Sequence, residues 1–277
     1  MGKIFRALEK AGNNVTSENE SASNDDSDSQ VSGQSEAITH SSPRPTNPAL
    51  VTAQKPHSPA SEQFRLLKNN ILFPEKGIPP KTIMVTSASP HEGKSFVAAN
   101  LAVSIAQSID EYVLLMDCDL RSPTIHTFFG YGSKDQGLSD YLTNKVPLSS
   151  VLKKTSVNKL TLLNAGQLPS NPSELLSSDQ MRRLLQEVKL RYNDRYVIID
   201  TPHPYMTSET NAIARFVDGI ILVVRQGKTR TKEVADILDI YGREKILGVV
   251  TNFSKKTIGY GYGYNKIGYG YGYHQRR

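Results

Sequence analysis

Six short apolar runs, at 82–86, 112–117, 160–163, 196–200, 219–224 and 246–251, punctuate the chain. Stretches with helical periodicity fill most of the gaps, at 95–107, 173–191, 209–215 and 231–241. Strands alternating with helices in this way predict a parallel sheet covered on both faces. Right-handed crossovers then bring the loops that follow the strands to one edge of that sheet. A further helix is predicted over Ser58 to Leu72, with Ser58 as N-cap, Pro59 at the first helical position and an apolar stripe of Phe64, Leu67 and Ile71.

Polar positions set the outer organisation. Residues 1–11 can form a short amphipathic docking helix, with Ile4, Ala7, Leu8 and Ala11 on one face and Lys3, Arg6 and Lys10 elsewhere. Residues 12–57 are rich in Ser, Asn, Asp and Pro and poor in apolar clusters, the composition of a disordered linker. An ordered α/β domain is expected over 58–254, followed by a flexible Gly-Tyr-rich tail over 255–277. The chain has 277 residues, of which 22% are charged and 38% hydrophobic. That suits one domain with loose ends. There is no apolar run of about 18 residues and no secretory leader, so the expected location is the cytoplasm. Cys118 is the single cysteine, consistent with a reducing compartment, and reads as a packed strand residue. The formal charge of +6 is modest and much of it lies in the tail, so no nucleic acid is expected as a partner.

Chemistry enters between the first run and the helix after it, where residues 88–95 read ASPHEGKS. Strand, loop and helix in that order make a phosphate-binding P-loop. Loop amides and the free N–H groups opening the helix face phosphate oxygens, with the positive end of the helix dipole behind them. Pro90, His91, Glu92, Gly93, Lys94, Ser95 and Phe96 are the candidate cradle. Gly93 permits close backbone approach, Lys94 can reach the β- and γ-phosphates, and the Ser95 hydroxyl can ligate Mg²⁺. Ala88 stands where the pattern G-x-x-x-x-G-K-[ST] has glycine. Two further segments complete a nucleotide site. YVLLMDCDLRSP at 112–123 delivers Asp117 and Asp119, and YVIIDTP at 196–202 ends its strand in Asp200, as a Walker-B carboxylate does. Ser95, Asp117, Asp119 and Asp200 are the candidate Mg²⁺ ligands, and Lys94, Asp117 and Asp119 the candidate catalytic groups. The expected fold class is an α/β P-loop NTPase.

From about 58 to 253 the chain resembles the bacterial tyrosine kinases of capsule and exopolysaccharide assembly. The P-loop, MDCDLRSP, GLSDYL at 137–142, LPSNPSELLSS at 168–178, IIDTP and ILGVVTNF at 246–253 carry the resemblance. Partitioning and septum-placing ATPases share the acidic segment but place a signature lysine where this chain has Ser89. His203 stands where the family usually has a second proline. The resemblance implies an ATP- and Mg²⁺-dependent protein-tyrosine autokinase, with Asp117 or Asp119 accepting the tyrosine proton. Arg121 is a candidate for the phosphates and Asn252 for the base. Glu62, Arg65 and Lys68 resemble the E-x-x-R-x-x-R motif through which such kinases associate into ring-like homo-oligomers, with lysine in the third place. The family also implies a membrane polysaccharide copolymerase, or chain-length determinant, as activator. Through that partner the chain would associate peripherally with the inner membrane, and a phosphotyrosine phosphatase would act in opposition.

The tail sharpens the expectation. Tyr260, Tyr262, Tyr264, Tyr269, Tyr271 and Tyr273 are six of the thirteen tyrosines, set among alternate glycines as candidate phosphoacceptors. Residues 255–277 hold five Lys or Arg and no acid. Six phosphates would add roughly −9 to −12 and reverse the sign of the segment, a switch between assembled and dispersed states. Two alternatives stay open from sequence, an ATPase switch and a non-catalytic ATP-sensing assembly factor. A small-molecule kinase lacks a distinct substrate domain.

Overall fold

β1 (Thr82–Ser87) is buried along its whole length in the interior of a seven-stranded sheet. The computed structural model describes residues 47–191, 195–204 and 208–254. The expected docking helix over 1–11, the linker as far as residue 46 and the tyrosine tail lie outside the described residues.

In chain order, β1 follows α1 (Val51–Gln54) and α2 (Pro59–Leu72), and leads into α3 (Lys94–Ala106) and β2 (Tyr112–Asp117). Short helices α4 (Ile125–Phe128), α5 (Leu138–Leu142) and α6 (Leu148–Val151) precede β3 (Leu152–Lys154) and β4 (Leu160–Leu163). Then come α7 (Pro172–Leu176), α8 (Asp179–Arg191), β5 (Arg195–Asp200), α9 (Ser208–Ala214), β6 (Gly219–Arg225), α10 (Thr231–Tyr241) and β7 (Ile246–Asn252). The sheet order is β3-β4-β2-β5-β1-β6-β7. β3 pairs antiparallel with β4, and the other neighbouring pairs are parallel. β3 was not expected; at three residues it is too short to leave a hydrophobic period.

Strand alternation divides the core into two layers. Ile83 and Val85 face Val97, Leu101 and Ile105 of α3, while Met84 joins Leu184 and Val188 of α8, Ile213 and Ile237 on the other side. α2 lays Phe64, Leu67 and Ile71 on the α3 layer, and its Ser58 hydroxyl accepts the Ser61 N–H at 3.2 Å as an N-cap. The expected helix over 173–191 is two helices. The Ser178 hydroxyl accepts the Met181 N–H at 3.2 Å and so starts α8 afresh.

The linker boundary needs correction, because the chain from Asn47 packs on the domain. Leu50 is fully buried. Buried Asn100 on α3 accepts the Thr52 N–H at 3.1 Å and its hydroxyl at 3.0 Å, and donates to Ala49 O at 3.0 Å. One apolar anchor and one buried amide hold this segment, and neither registers in a composition dominated by polar residues.

Opposite the strand-end loops, Asp218 ties three elements together. Its carboxylate accepts the Lys81 and Thr82 N–H groups at 3.1 and 2.9 Å and pairs with Lys189 of α8 at 2.7 Å. Burial raises its carboxyl, but the Lys189 hydrogen bond, the backbone donors and the Lys189 charge win and hold it below the usual range. A group with a depressed folded value stabilises above its unfolded value and loses that contribution as pH falls through the folded one. Asp218→Ala should therefore cost about 1–3 kcal/mol at pH 7 in urea unfolding. The gap from wild type should shrink as the pH is taken down through the ordinary carboxylate range.

Candidate active site

The β1–α3 connection forms the P-loop. Gly93 is the N-cap of α3 at φ 88°, in the left-handed region, and His91 also has positive φ, at 61°. A Cβ on Gly93 would lie 2.1 Å from Asn252 Nδ2, so both conformation and space demand glycine there. Lys94, Ser95 and Phe96 form the first turn of α3, whose N–H groups have no partner within the helix. The Phe96 ring turns away to meet Phe64 edge-on at 5.8 Å between centroids. Phe96 can therefore serve phosphate through its backbone alone.

Glu92 is buried at 2% exposure and acts as an internal brace. Its carboxylate accepts the Ser89 N–H at 3.0 Å and the hydroxyl of Thr229, which also accepts the Arg225 N–H at 2.7 Å. Thr229 is a site residue that sequence reasoning missed; a lone threonine after a strand carries no signal. Asn252, at the end of β7, donates to Glu92 O at 3.0 Å and accepts the Phe253 N–H at 2.8 Å. Its amide thus reaches the loop backbone.

Three acids converge on Lys94. Its ammonium lies 2.7 Å from Asp119, and Ser95 Oγ donates to Asp200 at 2.6 Å. β2 ends at Asp117, so the strand does not itself carry Asp119 to the site. Instead the chain turns at Cys118, whose N–H bonds Asp200 O at 2.8 Å, and the Asp119 N–H folds back onto Asp117 Oδ1 at 3.1 Å. The other Asp117 oxygen accepts the Ile125 N–H at 3.1 Å, and Asp119 Oδ1 accepts from Ser122 N at 3.1 Å. Arg121 is exposed and donates to Ser173 Oγ on α7 at 2.9 Å, joining the loop after β2 to that helix.

The electrostatics follow from burial. Desolvation, with repulsion from Asp200 and Asp119, pushes the Asp117 carboxyl well above its usual range. Burial carries Asp200 up to about 6 against the pull of Lys94 and the Ser95 hydrogen bond. Lys94 moves the other way. Burial would lower it, but Asp200, then Asp119 and Asp117, raise it above an ordinary lysine. Cys118 is fully buried, and desolvation followed by the three carboxylates raises its thiol well above the ordinary range, which suits packing and not nucleophilic attack.

The donor set fits a magnesium nucleotide. Asp200 Oδ1 is a buried carboxylate oxygen with no hydrogen-bond partner. Ser95 Oγ sits beside it, and Asp119 lies across Lys94. No cluster of three His, Cys, Asp or Glu closes a metal cage among the described residues. Mg²⁺ takes one or two carboxylates and completes its shell with phosphate oxygens and water, a role open to Asp200 and the Ser95 hydroxyl beside it.

The family profile described as "ParA: NUBPL iron-transfer P-loop NTPase" matches residues 80–263. Tyrosine-protein kinase YwqD of Bacillus subtilis is 36% identical over 217 residues, covering 78% of this chain and 90% of that protein. The chain belongs to the bacterial tyrosine-protein kinases. Solved structures similar to this kinase include the kinase domain of Escherichia coli tyrosine kinase ETK, at TM-score 0.68 and 32% identity, with 83% of this chain and 89% of that one covered. The chimerical protein CapA2B2 matches at the same TM-score and 34% identity, covering 77% and 93%. The P-loop NTPase fold of this kinase carries nucleotide binding with it. Among its described residues no helix is long and apolar enough to cross a membrane.

Thr229→Val removes the hydroxyl that braces Glu92 while keeping its shape. Loss of a hydrogen bond to a buried carboxylate should lower stability by about 1–3 kcal/mol and raise the Kd for MgATP several-fold, read by urea unfolding and calorimetry.

Proposed function

We propose that this kinase transfers the γ-phosphoryl group of ATP to the tyrosine cluster at 260–273 of a neighbouring copy, and so regulates polymerisation or export of an exopolysaccharide or capsule. The convergence of Lys94, Ser95, Asp119 and Asp200 carries the reading. Lys94 and the loop amides neutralise charge on the transferring group, which is most of what phosphoryl transfer asks of a protein. Ser95 and Asp200, with Asp117 or Asp119, would hold Mg²⁺, which would supply positive charge against the polyphosphate.

Proton acceptance falls to Asp119 on this reading. Both Asp117 oxygens are occupied by backbone N–H groups, whereas Asp119 Oδ2 is held by Lys94 alone among the described residues. When Lys94 turns to the phosphates, that oxygen is released toward the incoming phenol. The tyrosine oxygen then bonds to the γ-phosphorus, the bond to the β-bridging oxygen breaks, ADP departs, and the phenolic proton passes to Asp119.

The geometry of delivery supports transfer between copies. The 25 residues after Asn252 span at most about 80–90 Å, enough to enter a neighbour's site. Glu62, Arg65 and Lys68 lie one turn apart on α2, and Arg65 pairs with Glu62 at 2.9 Å and reaches Pro56 O. We assign this face to a ring-like homo-oligomer. The membrane copolymerase activator, the opposing phosphatase and a cytoplasmic, membrane-peripheral location rest on family resemblance.

A mixing experiment tests the proposal. Full chain carrying Lys94→Met is incubated with MgATP and an active chain ending at Ser254, and phosphotyrosine is read by blot and intact mass. Phosphate on the Lys94→Met chain alone, within 260–273, is expected. ATP hydrolysis without phosphotyrosine, even with the activator added, would mean an ATPase switch instead. Arg65→Glu should reduce the hydrodynamic size of the assembly, and an unchanged size would remove the ring assignment.

A further inference from the structure

Phe253 is the one residue of the ILGVVTNF segment whose ring stands in the open beside the P-loop. Its backbone sits at φ 57°, left-handed and strained for an aromatic residue. Phe253 is 52% exposed. The Arg225 guanidinium covers one face, 4.4 Å from the centroid, and Arg225 pairs in register with Asn252 across β6 and β7. The ring edge, at Cε2, lies 3.6 Å from where a Cβ on Gly93 would be, so it abuts the phosphate loop itself.

Topology says which part of a nucleotide meets this ring. β1 delivers the P-loop from inside the sheet, with β5 and β2 on one side and β6 and β7 on the other. The acids at the ends of β2 and β5 hold Lys94 and Ser95, so the γ-phosphate end of a polyphosphate lies toward them. The nucleoside end must then leave the loop toward the ends of β6 and β7, where Arg225 and Phe253 stand. An exposed aromatic ring backed by a guanidinium is a stacking surface for a flat, π-rich base.

We propose that Phe253, backed by Arg225, is the stacking platform for the purine base of the bound nucleotide. The strain at Phe253 is maintained because it swings the ring out of the strand and over the base site. Asn252 bonds Glu92 O and so fixes the platform to the phosphate loop, which sets the spacing between base and phosphates. This inference rests on the nucleotide reading of the site and adds the group that distinguishes a nucleoside triphosphate from bare polyphosphate.

The test compares ATP with inorganic tripolyphosphate, each with Mg²⁺, by calorimetry on the full chain as wild type, Phe253→Ala and Phe253→Trp. Loss of one base stack predicts an ATP affinity about 5- to 150-fold weaker for Phe253→Ala, with tripolyphosphate unchanged. Phe253→Trp should retain ATP affinity. The chain has no tryptophan of its own, so its fluorescence in that variant should be quenched by ATP and not by tripolyphosphate. Equal loss of both ligands in Phe253→Ala would make the ring a support of the P-loop, and no loss of either would remove it from the site; both results overturn the platform. A wild type that binds neither ligand would overturn the nucleotide reading itself, whereas one that binds both equally would overturn the platform alone.

Discussion

Three carboxylates cannot stay charged together in a buried pocket without a cation, and Lys94 is the cation that makes this site possible. Asp117, Asp119 and Asp200 are all buried, at 0%, 4% and 0% exposure. Their mutual repulsion and desolvation raise Asp117 and Asp200, while the same charges raise Lys94. On the proposed reading, Lys94 would exchange a carboxylate for a phosphate when the nucleotide binds, and the acids would hold a divalent cation in its place.

The rest of the fold places these groups. Continuous burial of β1 and β5 fixes the P-loop and Asp200 at neighbouring strand ends, in register at Val85 and Asp200. β2 pairs with β5 so that Asp117 and Asp200 are opposite one another. α3 is held from outside by α2 and by the 47–54 segment through Asn100, so its first turn is clamped on the side away from ligand. On the far flank Glu92, Thr229 and Asn252 lock the loop to β6 and β7. The nucleotide site is thus gripped from both sides of the sheet.

Much of this could be read in the sequence, because strand runs and strand-end acids are strong local signals. The six expected strands are present within a residue of their expected ends, and Asp119 and Asp200 lie against Lys94 and Ser95. What escaped was fixed by contacts between distant segments. Thr229 meets Glu92 across 137 positions, and Thr52 meets Asn100 across 48. Neither residue type is distinctive, so no local pattern announces them. The split between α7 and α8 hung on one serine hydroxyl, which a periodicity of apolar positions does not register. Asp119, two residues past the expected strand end, reaches Lys94 through a turn, since Asp117 captures its N–H.

If the buried acids form a magnesium nucleotide site through exchange at Lys94, ATP binding depends on Mg²⁺. Calorimetric titration of the full chain with ATP, with and without Mg²⁺, tests it most directly. The account predicts that affinity falls roughly tenfold or more when Mg²⁺ is withheld, because the acids then face phosphate uncompensated. Equal affinity in the two titrations would contradict it, and would mean that Lys94 and the loop amides bind phosphate while the carboxylates serve only the fold.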